Sequence, residues 1–264
     1  MPNPATEPEM KRDLFDVNGR RIVMTGGASG IGLAAARALL ERGARIELWD
    51  IDEEVIERAL ADALAPWDAR ISSRVLDVAD VEAVERAASE TLAVGPVDVL
   101  INCAGVSSFR RPVLDIPDED WRRMLDVNLL GTLNTCCAIG RAMIERGSGS
   151  IVNVSSVDAV DPSPGNLHYA VSKAAVAMLT TGLGREWATT GVRVNAVGPG
   201  PVHTPLTEPI LEQTPGLREK WVASVPLGRI GEPEDLAGIF VYLASPASRW
   251  VTGRSFYIDG GWLL

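Results

Sequence analysis

The sequence predicts a single α/β domain built on a doubly wound parallel sheet. Three observations carry this: short near-continuous apolar runs, helical stretches alternating with them, and a glycine-rich turn joining the first run to the first helix. Residues 22–24, 46–49, 97–101, 151–154, 192–197 and 256–258 read as strands, and residues 33–42, 53–64, 81–91, 121–145 and 170–187 as helices. Apolar runs without alternation imply a sheet covered on both faces, and right-handed crossovers lay a helix between successive parallel strands. The 264 residues, 46% of them apolar, contain no internal repeat and no dividing linker. The expected layout is a flexible tail over residues 1–13 and one domain over 14–264.

Composition removes several function classes. A formal charge of −10 leaves no basic surplus to neutralise phosphates, so neither a nucleic-acid nor an anionic-membrane partner is expected. The tail carries three prolines and several charges but no apolar core of a secretion signal, and no later run is long enough to span a bilayer. Cys103, Cys136 and Cys137 show neither a paired framework nor C-x-x-C spacing, which fits a reducing cytoplasm. His168 and His203 are the only histidines, and no Cys/His cluster has ligand spacing, so no metal site is expected. Any proton chemistry must use another group.

The turn after the first strand reads Thr25-Gly26-Gly27-Ala28-Ser29-Gly30-Ile31-Gly32 and opens an alanine-rich helix. Glycines let the backbone approach a diphosphate without Cβ obstruction, and a helix N-terminus presents free N–H groups to it. Gly26, Ser29, Gly30, Ile31 and Gly32 are therefore candidate contacts, in a G-x-x-x-G-x-G spacing distinct from G-x-G-x-x-G. Asp50 closes the second strand 18 residues after Gly32, beside Ile51, where a carboxylate can accept from both ribose hydroxyls and repel a 2′-phosphate. Ser29 is uncharged where a 2′-phosphate would call for Lys or Arg, so the expected cofactor is NAD. The alternative is that Asp50 or Asp52 caps the next helix. Asp77 and Val78, at the end of the third strand, are candidates to bracket the adenine; Asn102, Ala104 and Gly105 of Asn102-Cys103-Ala104-Gly105 end the fourth strand beside the cofactor. Helix capping for Asp77 and a strand-linking hydrogen bond for Asn102 remain open.

Tyr169-Ala170-Val171-Ser172-Lys173 sets a phenol and an ammonium on one helix face. The only lysines are Lys11, Lys173 and Lys220, so a lysine here is unusual for this chain. Its compact charge, with an oxidised nicotinamide, would favour phenolate and let Tyr169 exchange a proton. Ser156 follows the apolar strand and can stabilise a substrate oxygen, with Ser155 as the competing assignment. Asn128, an amide amid apolar neighbours, needs an internal partner and could hold a water linking Lys173 to solvent. Residues 198–225, broken by Pro, Gly and Thr, are the expected cover of a pocket lined also by 106–111 and 157–167. Asp158, Asp161, Asn166 and His168 add polar groups there, which loop solvation explains equally well.

From about residue 14 onward the chain resembles the short-chain dehydrogenase/reductase family of the compact single-domain type. Six elements carry the resemblance in order: the glycine turn, Asp77, Asn102-Cys103-Ala104-Gly105 (where the family usually has Asn-Asn-Ala-Gly), Asn128, Ser156 with Tyr169 and Lys173, and Asn195-Ala196-Val197-Gly198-Pro199-Gly200. The resemblance implies a Rossmann fold with a seven-stranded sheet and a catalytic tetrad of Asn128, Ser156, Tyr169 and Lys173. It also implies cofactor contacts from Pro199 and Gly200, with Val202 and Thr204 on the nicotinamide carboxamide. A homotetramer is implied too, its subunits pairing through the helices of 121–145 and 170–187, where Ala170, Ala174 and Ala177 are small. The implied reaction interconverts a secondary alcohol and its ketone with NAD, Tyr169 acting as general acid/base and Lys173 holding ribose and lowering the phenol pKa. The C-terminal third looks like polyol and sugar-alcohol dehydrogenases. Pro226-Leu227-Gly228-Arg229 and the helix start at Gly231-Glu232-Pro233-Glu234-Asp235 also suit a 3-ketoacyl-carrier-protein reductase. A non-catalytic NAD-binding sensor is the reading from another class.

Overall fold

In the computed structural model, which describes residues 13–264, seven strands and nine α-helices follow one another along the chain, with two helices between β4 and β5 and three between β6 and β7. The tail expected over residues 1–13 lies outside the described residues except for Asp13. The order is β1 (Arg21–Thr25), α1 (Gly30–Glu41), β2 (Arg45–Asp50), α2 (Glu53–Ala61), β3 (Ile71–Val75), α3 (Val81–Val94), β4 (Val99–Asn102) and α4 (Asp118–Leu125). There follow α5 (Thr132–Arg146), β5 (Gly149–Val154), α6 (Leu167–Glu186), β6 (Val192–Pro199), α7 (Glu208–Gln213), α8 (Leu217–Ser224), α9 (Pro233–Ala244) and β7 (Ser255–Ile258). All strand pairs are parallel, in the order β3-β2-β1-β4-β5-β6-β7. The order reverses between β1 and β4, and the carboxyl ends of these strands open the crevice where ligands of such sheets bind.

Helix starts follow local chemistry. Asp52 accepts from Val55 N at 3.1 Å and Asp80 from Ala83 N at 3.0 Å, capping α2 and α3. Glu232 and Asp235 form a capping box before α9, whose first residue is Pro233. Helices α1, α2 and α9 bury Leu39, Leu40, Ile56 and Phe240 on one face of the sheet. On the other face α3 and α5 bury Val84, Ala88, Ile139 and Met143.

Three departures from the sequence reading matter for the site. The helix expected over 121–145 is interrupted by a π turn at Asp126–Gly131, which places Asn128 at a widened turn. Strand β3 reads Ile-Ser-Ser-Arg-Val with Ser72 and Ser73 exposed at the sheet edge, so no apolar run marks it. The cover over 198–225 contains two helices: α7 and α8 pack Ile210, Leu211 and Leu217 against Trp221 in a small cluster of their own.

A buried polar cluster ties the sheet to α5. Asn102 Nδ2 donates to Asn153 Oδ1 at 2.9 Å, and Thr135 Oγ1 donates to Asn102 Oδ1 at 2.7 Å. Asn102 is 3% exposed. Replacing it with Ala leaves the Asn153 oxygen only the weak Cys136 Sγ donor and opens a cavity between β4 and α5. We expect Asn102→Ala to cost about 2–4 kcal/mol of stability in urea unfolding; a loss below about 1 kcal/mol would mean the cluster is not strongly stabilising.

Candidate active site

A cavity of about 670 Å³ opens along the carboxyl ends of β1, β2, β4 and β5 and runs from Asp50 at one end to Tyr169 at the other. Gly26, with φ +62°, begins the turn that forms its floor, and a Cβ there would lie 2.6 Å from Ala104 N. This close approach lets the backbone of the turn serve as the wall. Ser29, Gly30 and Ile31 at the start of α1 line the cavity with the helix N-terminus. Thr204 packs over Gly30, whose Cβ would lie 3.4 Å from Thr204 Cβ, so the turn and the segment after β6 face each other.

Asp50 stands half-buried on the cavity wall, its Oδ1 accepting from Ile51 N at 2.9 Å and its Oδ2 more weakly from Ala28 N at 3.4 Å. Burial raises its pKa, and backbone donors counter that. The helix-cap role belongs to Asp52 instead. Asp77 lies two residues past β3 and accepts from Ala79 N at 2.9 Å, while Asp80 caps α3; Asp77, Val78 and Ile51 all line the cavity. Ala104, Gly105, Pro199, Gly200, Val202 and Thr204 line it as well.

Two of the expected cofactor contacts, Asn102 and Gly32, do not line the cavity. Asn102 does not line the cavity, because its amide is committed to Asn153, Thr135 and Cys136, which is the strand-linking alternative. Gly32 does not line it either: a Cβ there would collide with the Gly26 carbonyl oxygen, so this glycine lets α1 pack onto its own turn.

At the far end β5 and α6 bring together Ser156, Tyr169 and Lys173. Lys173 is 4% exposed and donates from Nζ to Val154 O at 2.9 Å, with Nζ 5.7 Å from the Tyr169 ring centroid. Ser156 Oγ accepts from Asp158 N at 3.1 Å. Ser155 is turned inward, its hydroxyl donating to Lys173 O at 2.9 Å, which leaves Ser156 as the serine beside the phenol. Burial pushes the Tyr169 phenol well up, the Asp158 carboxylate pushes the same way, and the Ser156 hydroxyl pulls back. Burial also pushes the Lys173 ammonium down to about 8. In the protein alone the phenol is therefore raised, with burial as the largest cause.

Asn128 is fully buried behind the cavity wall. Its Nδ2 donates to Val106 O and Ser172 Oγ, both at 3.0 Å, and its Oδ1 accepts from Val106 N at 2.8 Å. Both amide protons are engaged, so the side chain ties the loop after β4 to α6. The water-linking role expected of Asn128 is untouched by these bonds, which give the side chain an anchoring role. A Cβ on Gly105 would lie 3.2 Å from Asn128 Oδ1 and 3.3 Å from Lys173 Nζ, which explains a glycine between them.

Beyond the phenol a smaller cavity of about 80 Å³ draws on all three segments expected to line the substrate pocket, including Ser108, Asn166 and Ile210. It shares Ser156 and Tyr169 with the larger one. Sequence reasoning missed Trp262, which closes this cavity and donates from Nε1 to Asp161 Oδ2 at 3.1 Å. It also missed Arg122 and Arg123 of α4 at the rim of the larger cavity. An aromatic residue directly after the Asp259-Gly260-Gly261 turn was the available signal for Trp262. Among the described residues no His/Cys/Asp/Glu cluster could hold a metal ion, and no helix is long and apolar enough to cross a membrane.

Comparison with known proteins places this geometry. A family profile described as Enoyl-(Acyl carrier protein) reductase matches residues 26–263. The chain is 42% identical over 255 residues to the galactitol 2-dehydrogenase (L-tagatose-forming) of Cereibacter sphaeroides, covering 96% of this chain and 98% of that protein. It is 34% identical over 240 residues to a 3-oxoacyl-[acyl-carrier-protein] reductase of Chlamydia muridarum, covering 90% and 95% respectively. The crystal structure of a gluconate 5-dehydrogenase from Burkholderia cenocepacia in complex with NADP and tartrate superposes with a TM-score of 0.89 at 37% identity, covering 95% of this chain and 98% of that one.

Proposed function

The chain belongs to the short-chain dehydrogenase/reductase family, and from that premise we propose that it oxidises a secondary alcohol of the polyol class with NAD, Tyr169 exchanging the alcohol proton. At the coarser level it is an NAD(P)-dependent oxidoreductase acting on a CH–OH/ketone pair. The observation that carries the finer reading is the convergence of Ser156, Tyr169 and Lys173 on the larger cavity, with Ser156 and Tyr169 lining the smaller one as well. The polyol class is supported by the 42% identity to a galactitol dehydrogenase and by the polar lining of the smaller cavity.

The larger cavity fits a dinucleotide: a glycine floor, a helix N-terminus for the diphosphate and a carboxylate at the ribose end. When bound, NAD supplies the hydride acceptor and, oxidised, a positive ring that favours phenolate. Lys173, held by Val154 O, adds its ammonium beside the phenol and can reach the ribose hydroxyls. Ser156 fixes the substrate oxygen, and Tyr169 takes its proton during oxidation or returns it during reduction. Asn128 and Ser172 hold the loop after β4 against the helix that carries both Tyr169 and Lys173. A homotetramer in a reducing cytoplasm belongs to the same reading, supported by exposed Val171 and Met178 on α6 and by three free cysteines.

The preference for NAD over NADP rests on Asp50, whose carboxylate lines the cavity where it would accept from the ribose hydroxyls and would repel a 2′-phosphate, with the uncharged Ser29 on the same cavity. Asp50→Ala should raise KM for NAD about tenfold and shift the NAD/NADP ratio of kcat/KM towards NADP by at least about tenfold. An unchanged ratio would remove Asp50 as the determinant.

The test of the whole reading is NADH formation by the purified protein against polyols, simple secondary alcohols and hydroxysteroids, with NADP in parallel. Turnover of polyols with NAD supports it. A second reading, reduction of a carrier-bound 3-oxoacyl group, is favoured by the 34% identity to such a reductase. NADPH oxidation with an acetoacetyl thioester, without polyol turnover, would establish it instead. NAD binding without turnover of any substrate would leave the sensor.

A further inference from the structure

The lining of the smaller cavity beyond Tyr169 is of two kinds: the apolar side chains of Leu206, Ile210, Trp221 and Trp262, and the charged Arg110 and Asp158. Arg110 is half-buried, donates from Nη1 to Pro164 O at 3.2 Å, and has no carboxylate within 4.0 Å among the described residues. Burial weakens its hold on the proton and the charge of Asp158 restores part of it through space. Asp158 is fixed from three sides. Its Oδ1 accepts from Ser163 N at 2.9 Å, its Oδ2 from Asn166 Nδ2 at 3.3 Å, and its own N–H donates to Ser156 Oγ. These bonds tie the Asp158 carboxylate to the segment whose backbone holds the Ser156 hydroxyl, both lining the same cavity.

Other charges near this cavity are already answered. Arg111 pairs with Asp120 at 3.4 Å, and Asp161 accepts from Trp262 Nε1. His168, in contact with Ser108 Oγ, is kept towards its neutral form mainly by burial. Arg110 and Asp158 therefore remain as one cation and one anion lining the same cavity without touching.

We propose that Arg110 and Asp158 form a specificity pair that reads neighbouring hydroxyls of a neutral polyol and discriminates against the aldonate of the same chain length. This assignment rests on the polyol reading above. A hydroxyl both donates and accepts, so adjacent hydroxyls satisfy the carboxylate on one side and the guanidinium on the other. A substrate carboxylate gains from Arg110 what it loses to Asp158, because the lining carries no net charge. The indole rings of Trp221 and Trp262 provide an apolar surface for the C–H face of the carbon chain.

The experiment compares kcat/KM with NAD for a hexitol, the six-carbon aldonate and a simple secondary alcohol. The wild type should favour the hexitol over the aldonate by at least about tenfold. Asp158→Asn keeps the shape and an acceptor for Ser163 N but leaves Arg110 uncompensated, so the hexitol/aldonate ratio should fall by at least about tenfold, chiefly through a lower KM for the aldonate. Arg110→Gln should weaken the hexitol without improving the aldonate, and NAD binding by both variants confirms that they are folded. A wild type that prefers the aldonate, or an Asp158→Asn ratio equal to that of the wild type, overturns the pair while leaving a polyhydroxylated substrate in place. Turnover of the simple alcohol alone, with neither six-carbon substrate oxidised, overturns the polyol reading and the pair together.

Discussion

Replacing Tyr169 with Phe is expected to lower kcat for alcohol oxidation by about 10²–10⁴-fold while leaving NAD affinity unchanged, the range set by the loss of a positioned general acid/base. The ring keeps its packing on α6 and only the proton-exchanging oxygen is removed. Because burial pushes the phenol up, the deprotonated form needed for oxidation is scarce at neutral pH in the protein alone. Oxidation by the wild type should therefore accelerate as pH rises, whereas reduction, which needs the phenol, should not. Paired kcat measurements in both directions across the pH range check this, together with NAD titration of the variant. Substantial turnover by Tyr169→Phe would remove the residue from the reaction.

Lys173→Met should abolish most turnover and yet stabilise the protein at pH 7. The ammonium is buried, and its pKa falls from 10.5 to about 8. Below about 8 the lysine is charged in both folded and unfolded chains, and the folded state carries the full desolvation cost. Between about 8 and 10.5 the unfolded chain keeps the proton that the folded chain releases, so stability rises with pH; above that window both are neutral. At ~1.4 kcal/mol per pH unit the cost below the window is roughly 3 kcal/mol, less whatever the lost bond to Val154 O contributed. Thermal unfolding of both proteins at pH 7 and pH 10 measures it: the variant should melt higher at pH 7, and the gap should narrow at pH 10. A variant that melts lower than the wild type at pH 7 would show that Lys173 contributes net stability. The expected result is a residue kept for function at a cost in stability.

The polar interior behind the site argues for the same division. Asn128, Asn102 and Lys173 are all buried, yet two of them hold the scaffold and one faces the cavity. The π turn at Asp126–Gly131 carries Asn128 between Val106 and Ser172, so a local irregularity of one helix links the loop after β4 to the helix bearing Tyr169.

Local spacing made much of the molecule legible. The glycine turn between strand and helix, Asp50 at the end of β2, and Tyr169 four residues before Lys173 depend on backbone period and on residues close in sequence, and each lies on the cavity as expected. The parallel sheet followed from apolar runs that only a doubly covered sheet can bury. Other decisions depended on groups far apart in the chain. Asn102 faces Asn153 and Thr135 instead of the cavity, and Asp52 takes the cap that leaves Asp50 on the wall. Burial sets the direction of the Tyr169 shift. Trp262 closes a cavity whose charged lining comes from Arg110 and Asp158. The sequence alone determined which residues lie on one helix face or at one strand end, because these are fixed by the helix and strand repeats. Only the tertiary structure decided which way the buried polar side chains turn and which charges answer one another, because hydrogen bonding and desolvation are set by neighbours that folding brings together.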